Sequence, residues 1–357
     1  MLYILLLMLL LIALISQSPV FGKLPSSKIL IKIKTLPSFK GKSIHNQEFT
    51  SMKPENVTYA DMIYRALIME HPGKVPDKIL PSKQPDWNKD APSITWFGHS
   101  SYLFKVNGKS ILVDPIISQR PSPFQFLGTK AFNGTEFFTI EMLPKVDYVI
   151  ITHDHYDHLD YNFVLKMKNS QVKYITSIGV GAHLQKWGIS KDSIIELVWG
   201  ESFVAEEGIS ITAETARHFS GRGLKRNLSL WSSFVVITND GNYYLGGDSG
   251  YGDHFKTLGQ KYGTFEIALL ECGQYNEMWP KIHMFPEETV QAALDLGAKS
   301  LMPVHWGKFA LSTHPWTEPV ERVLSAGEKQ SLNIRVPYLG ETVVISEAYQ
   351  NNKWWKE

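Results

Sequence analysis

Short apolar runs separated by turn residues recur along the chain from residue 93 onward, and their length and β-branched content predict buried strands. The second and third runs are joined by Asn107-Gly108, a pair typical of tight hairpins. Similar runs continue through the second half of the chain. The predicted strands span residues 94–97, 102–106, 110–113, 147–151, 172–176, 194–198, 209–213, 231–238, 242–245, 266–271 and 300–302.

Segments with helical spacing of apolar positions alternate with these strands. Pro286 followed by Glu287 and Glu288 is a typical helix start, because proline fits the first turn and acidic side chains favour the helix N-terminus. The alternation predicts an α/β protein in which helices cover the faces of sheets. The predicted helices span residues 59–69, 161–167, 180–187, 253–262 and 286–296.

Five prolines between residues 72 and 92 separate the strand-rich part from the N-terminal region. We therefore assign residues 93–350 to one folded domain and residues 23–92 to an N-terminal extension and linker. The 357 residues and the 43% hydrophobic content suffice for one large packed domain with these additions.

Residues 1–22 carry no charged side chain, and residues 2–15 are almost wholly aliphatic. Such a segment predicts a signal peptide or a membrane anchor, and hence a membrane-associated protein. Val20-Phe21-Gly22 offers a cleavage site, whereas the absence of Lys or Arg before the apolar run argues against a signal peptide. If the segment is retained, the seven lysines between residues 23 and 53 place the remainder in the cytoplasm. The side of the membrane stays open, and these lysines either contact anionic lipid or belong to a solvated linker.

Charge and cysteine content exclude several classes of protein. The chain has 36 Lys and Arg against 35 Asp and Glu, so its net charge of +1 argues against a nucleic-acid binder that relies on bulk charge. Cys272 is the only cysteine in the sequence, which excludes an internal disulfide and cysteine-paired zinc sites.

The clearest chemical signal lies in residues 152–160, where three histidines and three aspartates follow a predicted strand. His153 and His155 are two residues apart, so they point the same way on extended backbone. Asp157 and His158 are adjacent, and a turn can direct both at a second point. The spacing therefore favours two neighbouring metal ions over a polar surface turn.

Zinc binds about four ligands per ion, so further ligands must come from elsewhere in the chain. His218, Asp248 and His305 each follow a predicted strand, and loops at one edge of a sheet can bring such residues together. The candidate metal ligands are His153, His155, Asp157, His158, His218, Asp248 and His305.

The order of these motifs resembles the metallo-β-lactamase superfamily and, within it, the branch of N-acylphosphatidylethanolamine-hydrolysing phospholipases D. The matching stretches keep the family order from about residue 93 to about residue 345. These stretches are Thr95-Trp96-Phe97-Gly98-His99-Ser100-Ser101, Leu112-Val113-Asp114-Pro115, His155-Tyr156-Asp157-His158-Leu159-Asp160, Gly247-Asp248-Ser249-Gly250-Tyr251 and His305-Trp306-Gly307-Lys308-Phe309-Ala310-Leu311.

The resemblance implies an αββα sandwich that holds two Zn²⁺ ions per chain. In the superfamily pattern one ion binds His153, His155 and His218. The other ion binds Asp157, His158 and His305, and Asp248 bridges the two. Such ions turn a bound water into hydroxide, which attacks a phosphodiester. The catalytic residues implied are Asp248 and His283, the latter by assisting the substrate; the alternative for His283 is a cap of the next helix.

The resemblance also bears on substrate contacts. Tyr275 and Trp279 either line a substrate groove or pack in the core, and Arg222 is near enough to His218 in sequence to meet a phosphate. The branch has Trp after its third histidine, whereas this chain has Phe219, so contacts to the head group are expected to differ.

Three further features lie near the predicted site. The superfamily pattern gives His99 a hydrogen-bonding role instead of a ligand role. Asp114, before Pro115, either orients a ligand histidine or forms a turn. Residues 118–138 form a loop rich in proline and aromatic residues, which grips an acyl chain, contacts a membrane or packs on the core.

Together with these features, the resemblance implies a dinuclear zinc hydrolase that cleaves N-acylphosphatidylethanolamine to N-acylethanolamine and phosphatidic acid. The alternatives are a metal-dependent hydrolase of another ester, lactone or cyclic phosphate, and a membrane-associated protein that keeps its metal for structure. The predicted partners are a phospholipid or another small ester and a membrane surface, without nucleic acid, and homodimer formation is left open.

Overall fold

The computed structural model describes residues 17–205 and 208–357. Residues 1–16, which include most of the predicted signal peptide or anchor, lie outside the described residues. Within the described ranges, no helix has both the length and the apolar content needed to cross a bilayer.

The regular elements of the described residues are numbered here in chain order. The strands are β1 (Phe39–Lys40), β2 (Ser43–Ile44), β3 (Ser93–Trp96), β4 (Tyr102–Val106), β5 (Lys109–Val113), β6 (Tyr148–Ile151), β7 (Lys173–Ser177), β8 (Ile194–Leu197), β9 (Ser202–Val204), β10 (Ser210–Glu214), β11 (Ser233–Thr238), β12 (Gly241–Leu245), β13 (Ile267–Glu271), β14 (Ser300–Val304), β15 (Asn333–Ile334) and β16 (Thr342–Val344). The α-helices are α1 (Ser27–Lys34), α2 (Tyr59–Leu67), α3 (Tyr161–Met167), α4 (Gly181–Lys186), α5 (His254–Tyr262), α6 (Pro286–Asp295) and α7 (Glu318–Lys329).

Two seven-stranded sheets organise the domain. The first has the order β16-β3-β4-β5-β6-β7-β8, and the second has the order β15-β14-β13-β12-β11-β10-β9. In the first sheet the strands from β16 to β5 pair antiparallel and those from β5 to β8 pair parallel. In the second sheet the strands from β9 to β12 pair antiparallel and those from β12 to β15 pair parallel. The carboxyl ends of parallel strands meet at one edge of a sheet, where open α/β sheets bind their ligands.

The sheets pack face to face, and helices cover their outer faces. Between the sheets, the rings of Phe104 and Tyr243 lie 4.8 Å apart. On the first sheet, Val149 of β6 shares an apolar cluster with Phe163 of α3 and Leu184 of α4. On the second sheet, α6 packs on β13 and β14. The predicted αββα arrangement is therefore confirmed.

Every strand and helix predicted from the apolar pattern is present, with ends shifted by at most two residues. The pattern did not predict α1, because isoleucine recurs at every second position from Ile29 to Ile33, as apolar residues do in a strand. Ser26 caps this helix by accepting a hydrogen bond from the Ile29 amide, and Ile29 and Ile33 pack beside Trp231. The N-terminal extension is thus partly folded onto the domain.

The loop of residues 118–138 divides its aromatic side chains between two environments. Phe132 and Phe138 are buried in the core, as one of the three interpretations predicts. Phe126 is 82% exposed and Leu127 is 60% exposed. Core packing therefore explains the end of the loop and leaves its tip exposed.

Candidate metal centre

Three imidazoles meet where β6 and β10 end. His153 and His155 follow β6, and His218 follows β10. His153 Nε2 lies 2.9 Å from His155 Nδ1, and His218 Nε2 lies 3.2 Å from the same atom. These three nitrogens are close enough to hold one ion together.

A second group of ligand atoms lies beside the first. Nε2 of His158 is 3.5 Å from Oδ2 of Asp157, and Nε2 of His305 is 4.0 Å from that oxygen. His99 forms a 2.9 Å hydrogen bond between its Nε2 and the same Asp157 oxygen. His99 therefore has a hydrogen bond to a candidate ligand, in line with the role expected of it.

Asp248 lies between the two groups, in the loop after β12. Its Oδ2 is 3.1 Å from Nε2 of His158, 3.6 Å from Nε2 of His218 and 3.9 Å from Nε2 of His153. Its Oδ1 is 3.1 Å from Nδ1 of His305. One carboxylate thus faces imidazoles of both groups, which is the position that a bridging ligand needs.

Asp114 orients His158. Its Oδ2 accepts a 2.7 Å hydrogen bond from His158 Nδ1, and its two oxygens accept from the Thr152 amide at 2.9 Å and the Thr152 hydroxyl at 2.7 Å. A proton on Nδ1 leaves Nε2 as the ligand atom. Burial opposes a charge on His158, but Asp248, Asp157 and Asp114 raise its pKa well above the usual value. This pocket therefore favours positive charge.

The residues present fit divalent metal ions. Nε2 of His158 and Nε2 of His305 are buried and have no hydrogen-bond partner in the part of the chain that the structure describes. Buried nitrogens of this kind are costly unless they bind a cation. Burial lowers the pKa of His153, His218 and His305, so these imidazoles are neutral and able to ligate at neutral pH. Imidazole and carboxylate donors suit zinc and similar ions.

Residues 109–306 match the family model described as the beta-lactamase superfamily domain. The chain belongs to the metallo-β-lactamase superfamily. An uncharacterised protein of Mycobacterium tuberculosis is 38% identical over 327 residues, which cover 90% of this chain and 87% of that protein. N-acyl-phosphatidylethanolamine-hydrolyzing phospholipase D 1 of Caenorhabditis elegans is 33% identical over 242 residues, which cover 64% of this chain and 68% of that protein.

Solved structures show the same fold. Igni18, a metallo hydrolase from Ignicoccus hospitalis, matches with a TM-score of 0.55 and 23% identity over 71% of this chain and 97% of that chain. This superfamily member is a metal-dependent hydrolase related to the N-acylphosphatidylethanolamine-hydrolysing phospholipases D. The fold, the relatives and the clusters of His and Asp residues all support this assignment.

His283 lies beside the metal ligands and is held by Glu271. Its Nδ1 is 2.7 Å from Glu271 Oε2, and its ring centroid lies 5.3 Å from that of His305 and 5.1 Å from that of His218. Burial opposes protonation, but Glu271 raises the pKa of His283 to about 9. Sequence reasoning missed Glu271, although it is an acidic residue at the end of an apolar strand, the same signal that identified Asp248.

Arg222 contacts backbone oxygens. Its Nη1 donates to the carbonyls of Asp154 at 2.9 Å and Leu159 at 2.7 Å, and its Nη2 donates to that of Val20 at 3.1 Å. The guanidinium also lies 4.0 Å from the Tyr156 ring centroid. These contacts hold the loop of ligand histidines in place, so a phosphate contact by Arg222, as the sequence suggested, requires it to exchange some of them.

Tyr275 and Trp279 lie farther along the loop after β13. Tyr275 is buried, donates a hydrogen bond from its hydroxyl to Glu318, and stacks on His314 with ring centroids 4.4 Å apart. Trp279 is half-buried and donates from Nε1 to the Gln274 carbonyl at 2.8 Å. These contacts give both side chains packing roles, and their proposed contact with substrate stays a prediction.

Residues 18–23, which we call the N-terminal strap, cross the domain beside the metal loop. Nε1 of Trp187 donates a 2.6 Å hydrogen bond to the Pro19 carbonyl. Arg222 donates from both Nε and Nη2 to the Val20 carbonyl. The strap therefore satisfies polar groups of the domain that are largely buried.

His183 connects the strap to the metal loop, and sequence reasoning gave no signal for it. Its Nδ1 accepts a 3.1 Å hydrogen bond from the Lys23 amide, and its Nε2 lies 3.3 Å from Oδ2 of Asp154. Asp154, which stands between two ligand histidines, also accepts from the Gly221 amide and the Ser229 hydroxyl. The strap is thus part of the network that fixes the metal loop.

Gly22→Ala is expected to destabilise the protein. Gly22 has φ +71° and ψ −143°, a conformation that is essentially limited to glycine, and a Cβ there would lie 1.9 Å from Nδ1 of His183. The matched control is Gly41→Ala, because Gly41 has φ +61° and no atom within 4 Å of its Cβ position. Urea unfolding should show a loss of about 1 kcal/mol for the control and a clearly larger loss for Gly22→Ala. Equal losses would contradict the close packing of the strap on His183.

Proposed function

We propose that this protein is a dinuclear zinc hydrolase that cleaves N-acylphosphatidylethanolamine to N-acylethanolamine and phosphatidic acid. The position of Asp248 between two imidazole groups is the observation that carries the dinuclear part of the proposal. The relationship to phospholipases D of this specificity, at 33% and 34% identity in nematode and yeast proteins, supports the substrate.

The chain's own residues would hold the two ions in separate groups. One ion would be held by His153, His155 and His218. The other would be held by Asp157, His158 and His305, and Asp248 would join the two groups. When bound, two such ions supply a water of lowered pKa and positive charge against a phosphoryl oxygen.

His283 has a separate role in the proposed reaction. Glu271 lies within hydrogen-bond distance of Nδ1 of His283 and raises the pKa of that ring, which favours the protonated form whose Nε2 can donate a hydrogen bond. A phosphodiester held at the metal centre gains negative charge on its oxygens in the transition state, and a cationic donor stabilises that charge. His283 is therefore proposed to contact a phosphoryl or leaving oxygen of the substrate.

The proposal includes association with a membrane. Residues 1–22 have no charge, and a phospholipid substrate resides in a bilayer, so we expect the protein to associate with a membrane surface. Whether two copies form a homodimer stays a prediction that size measurement in detergent will answer.

The test is mass spectrometry of products from N-acylphosphatidylethanolamines whose N-acyl chains differ in length. Each buried CH₂ contributes up to about 0.8 kcal/mol, so kcat/KM should fall by up to roughly fourfold per methylene removed. Release of N-acylethanolamine and phosphatidic acid should stop when a chelator removes the metal.

A water-soluble phosphodiester, a lactone and a cyclic phosphate serve as comparison substrates. Efficient cleavage of one of these without any lipid turnover would reject the phospholipase proposal and keep the hydrolase. Absence of all turnover in a metal-loaded protein would favour a metal-binding protein without catalysis.

A further inference from the structure

The strap is hydrogen-bonded to buried side chains of the domain. These contacts indicate whether residues 1–22 are cleaved from the chain. Cleavage after Gly22, at the sequence that resembles a signal-peptidase site, would leave Nε and Nη2 of Arg222 and Nε1 of Trp187 without their carbonyl acceptors. Arg222 is only 5% exposed, so water would not readily replace these partners. Unpaired buried donors of this kind are destabilising. The folded domain therefore favours a chain that keeps its strap.

The strap lies between two loops that expose apolar side chains. The rings of Phe21 and Phe124 lie 5.9 Å apart, and Phe124 stacks on Phe126 with centroids 5.5 Å apart. On the other side, the strap and Leu24 line a cavity together with Leu224, whose side chain is fully exposed. We define the docking face as Leu24, Phe126, Leu127 and Leu224. All four side chains are exposed.

The strap with the following helix α1, and the two loops that flank the strap, carry charged side chains of one sign only. Residues 18–34, 118–130 and 219–230 contain nine Lys or Arg residues and no Asp or Glu. Arg222 is buried and Lys32 pairs with Glu201, which leaves seven cations for the surface. The chain as a whole is nearly balanced, so the positive charge is concentrated here. Apolar tips surrounded by cations match the surface of a bilayer that contains anionic lipid.

A cavity of about 470 Å³ opens beside the docking face. Phe21, Leu24, Leu224 and Leu228 line it, and its wall also includes Asp154. Asp154 belongs to the network that fixes the metal loop, so this cavity lies behind that loop, and none of the candidate metal ligands lines it.

We propose that the docking face lies on the surface of an anionic bilayer and that residues 1–22 stay attached as the anchor. The aliphatic run ends at Ile15, and three residues span at most about 10 Å to Ser18, where the strap begins. An anchor inserted in the membrane therefore holds this face against the same membrane. The proposal rests on the proposed function and deepens it, since it names the face of the protein that contacts the bilayer in which a phospholipid substrate resides.

The experiment places a fluorescent label on the full-length protein in vesicles of phosphatidylcholine and phosphatidylglycerol. Cys272 is fully buried, so a thiol-reactive dye will label an introduced cysteine. The test variants are Leu224→Cys and Phe126→Cys. The control is Val204→Cys, because Val204 is 74% exposed and pairs with Ser210, at the end of β10 away from His218.

Lipids that carry a nitroxide on the acyl chain should quench most of the fluorescence at positions 224 and 126 and leave position 204 bright. Intact mass of the extracted protein should include residues 1–22. Equal fluorescence at all three positions, or a mature chain that begins at Lys23, would overturn the proposal. Quenching does not depend on turnover, so docking without lipid cleavage rejects only the proposed substrate, and cleavage without quenching rejects only the docking face.

Discussion

Asp248→Asn is expected to remove most turnover and at least one metal ion while the fold persists. Asp248 Oδ2 lies within 3.9 Å of three imidazole nitrogens, and asparagine replaces one carboxylate oxygen with an amide that cannot bind a cation. The substitution also removes the negative charge that joins the two groups of ligands. The loss of activity should exceed the roughly 10- to 100-fold cost of changing a hydrogen-bonding partner of a ligand.

The matched control for this variant is Asp253→Asn, five residues along the same loop. Asp253 is exposed and makes no side-chain cap to α5, so the same chemical change there should leave metal content and turnover unaltered. Metal analysis, turnover of a soluble phosphodiester and thermal unfolding are measured for both variants. Asp248→Asn with two bound metals and near-normal turnover would remove Asp248 from the site.

Asp114→Asn is the second large expected effect, with roughly 10- to 100-fold lower metal affinity or activity. Asp114 accepts hydrogen bonds from His158 Nδ1 and from both the amide and the hydroxyl of Thr152. Asparagine offers one acceptor oxygen in place of two, and its NH₂ group faces a donor. His158 then loses the partner that keeps Nε2 as its ligand atom.

Asp147→Asn is the control that separates a loss of metal affinity from a general loss of stability. Asp147 precedes β6 at the end away from the site, where it accepts a 3.0 Å hydrogen bond from the Ser110 amide. Its substitution should lower the free energy of unfolding without changing metal affinity. If both variants bind metal equally well, His158 does not depend on Asp114.

The sequence was sufficient for the features that are local in the chain. Short apolar runs predicted the strands, and polar residues a few positions after those runs predicted which side chains the two sheets would bring to one edge, as His218, Asp248 and His305 illustrate. Glu271, the last residue of β13, would have been identified by extending this rule to the ends of the runs themselves. Positions that follow strands are informative because the topology directs strand ends to the site.

Features that depend on distant contacts were beyond such reasoning. The pairing of His183 with the Lys23 amide spans 160 residues, and no local pattern marks either partner. Arg222 follows His218 closely, which suggested a phosphate contact, yet the fold surrounds its guanidinium with backbone carbonyls. The helix α1 was hidden because its packing against Trp231, and not its alternating sequence, selects the helical conformation.

The most direct measurement is metal analysis combined with X-ray absorption spectroscopy of the zinc-loaded protein. Two ions joined by Asp248 predict about two zinc ions per chain and a metal–metal distance of about 3.5–4 Å. One ion per chain, or two ions without such a metal–metal distance, would contradict the dinuclear centre.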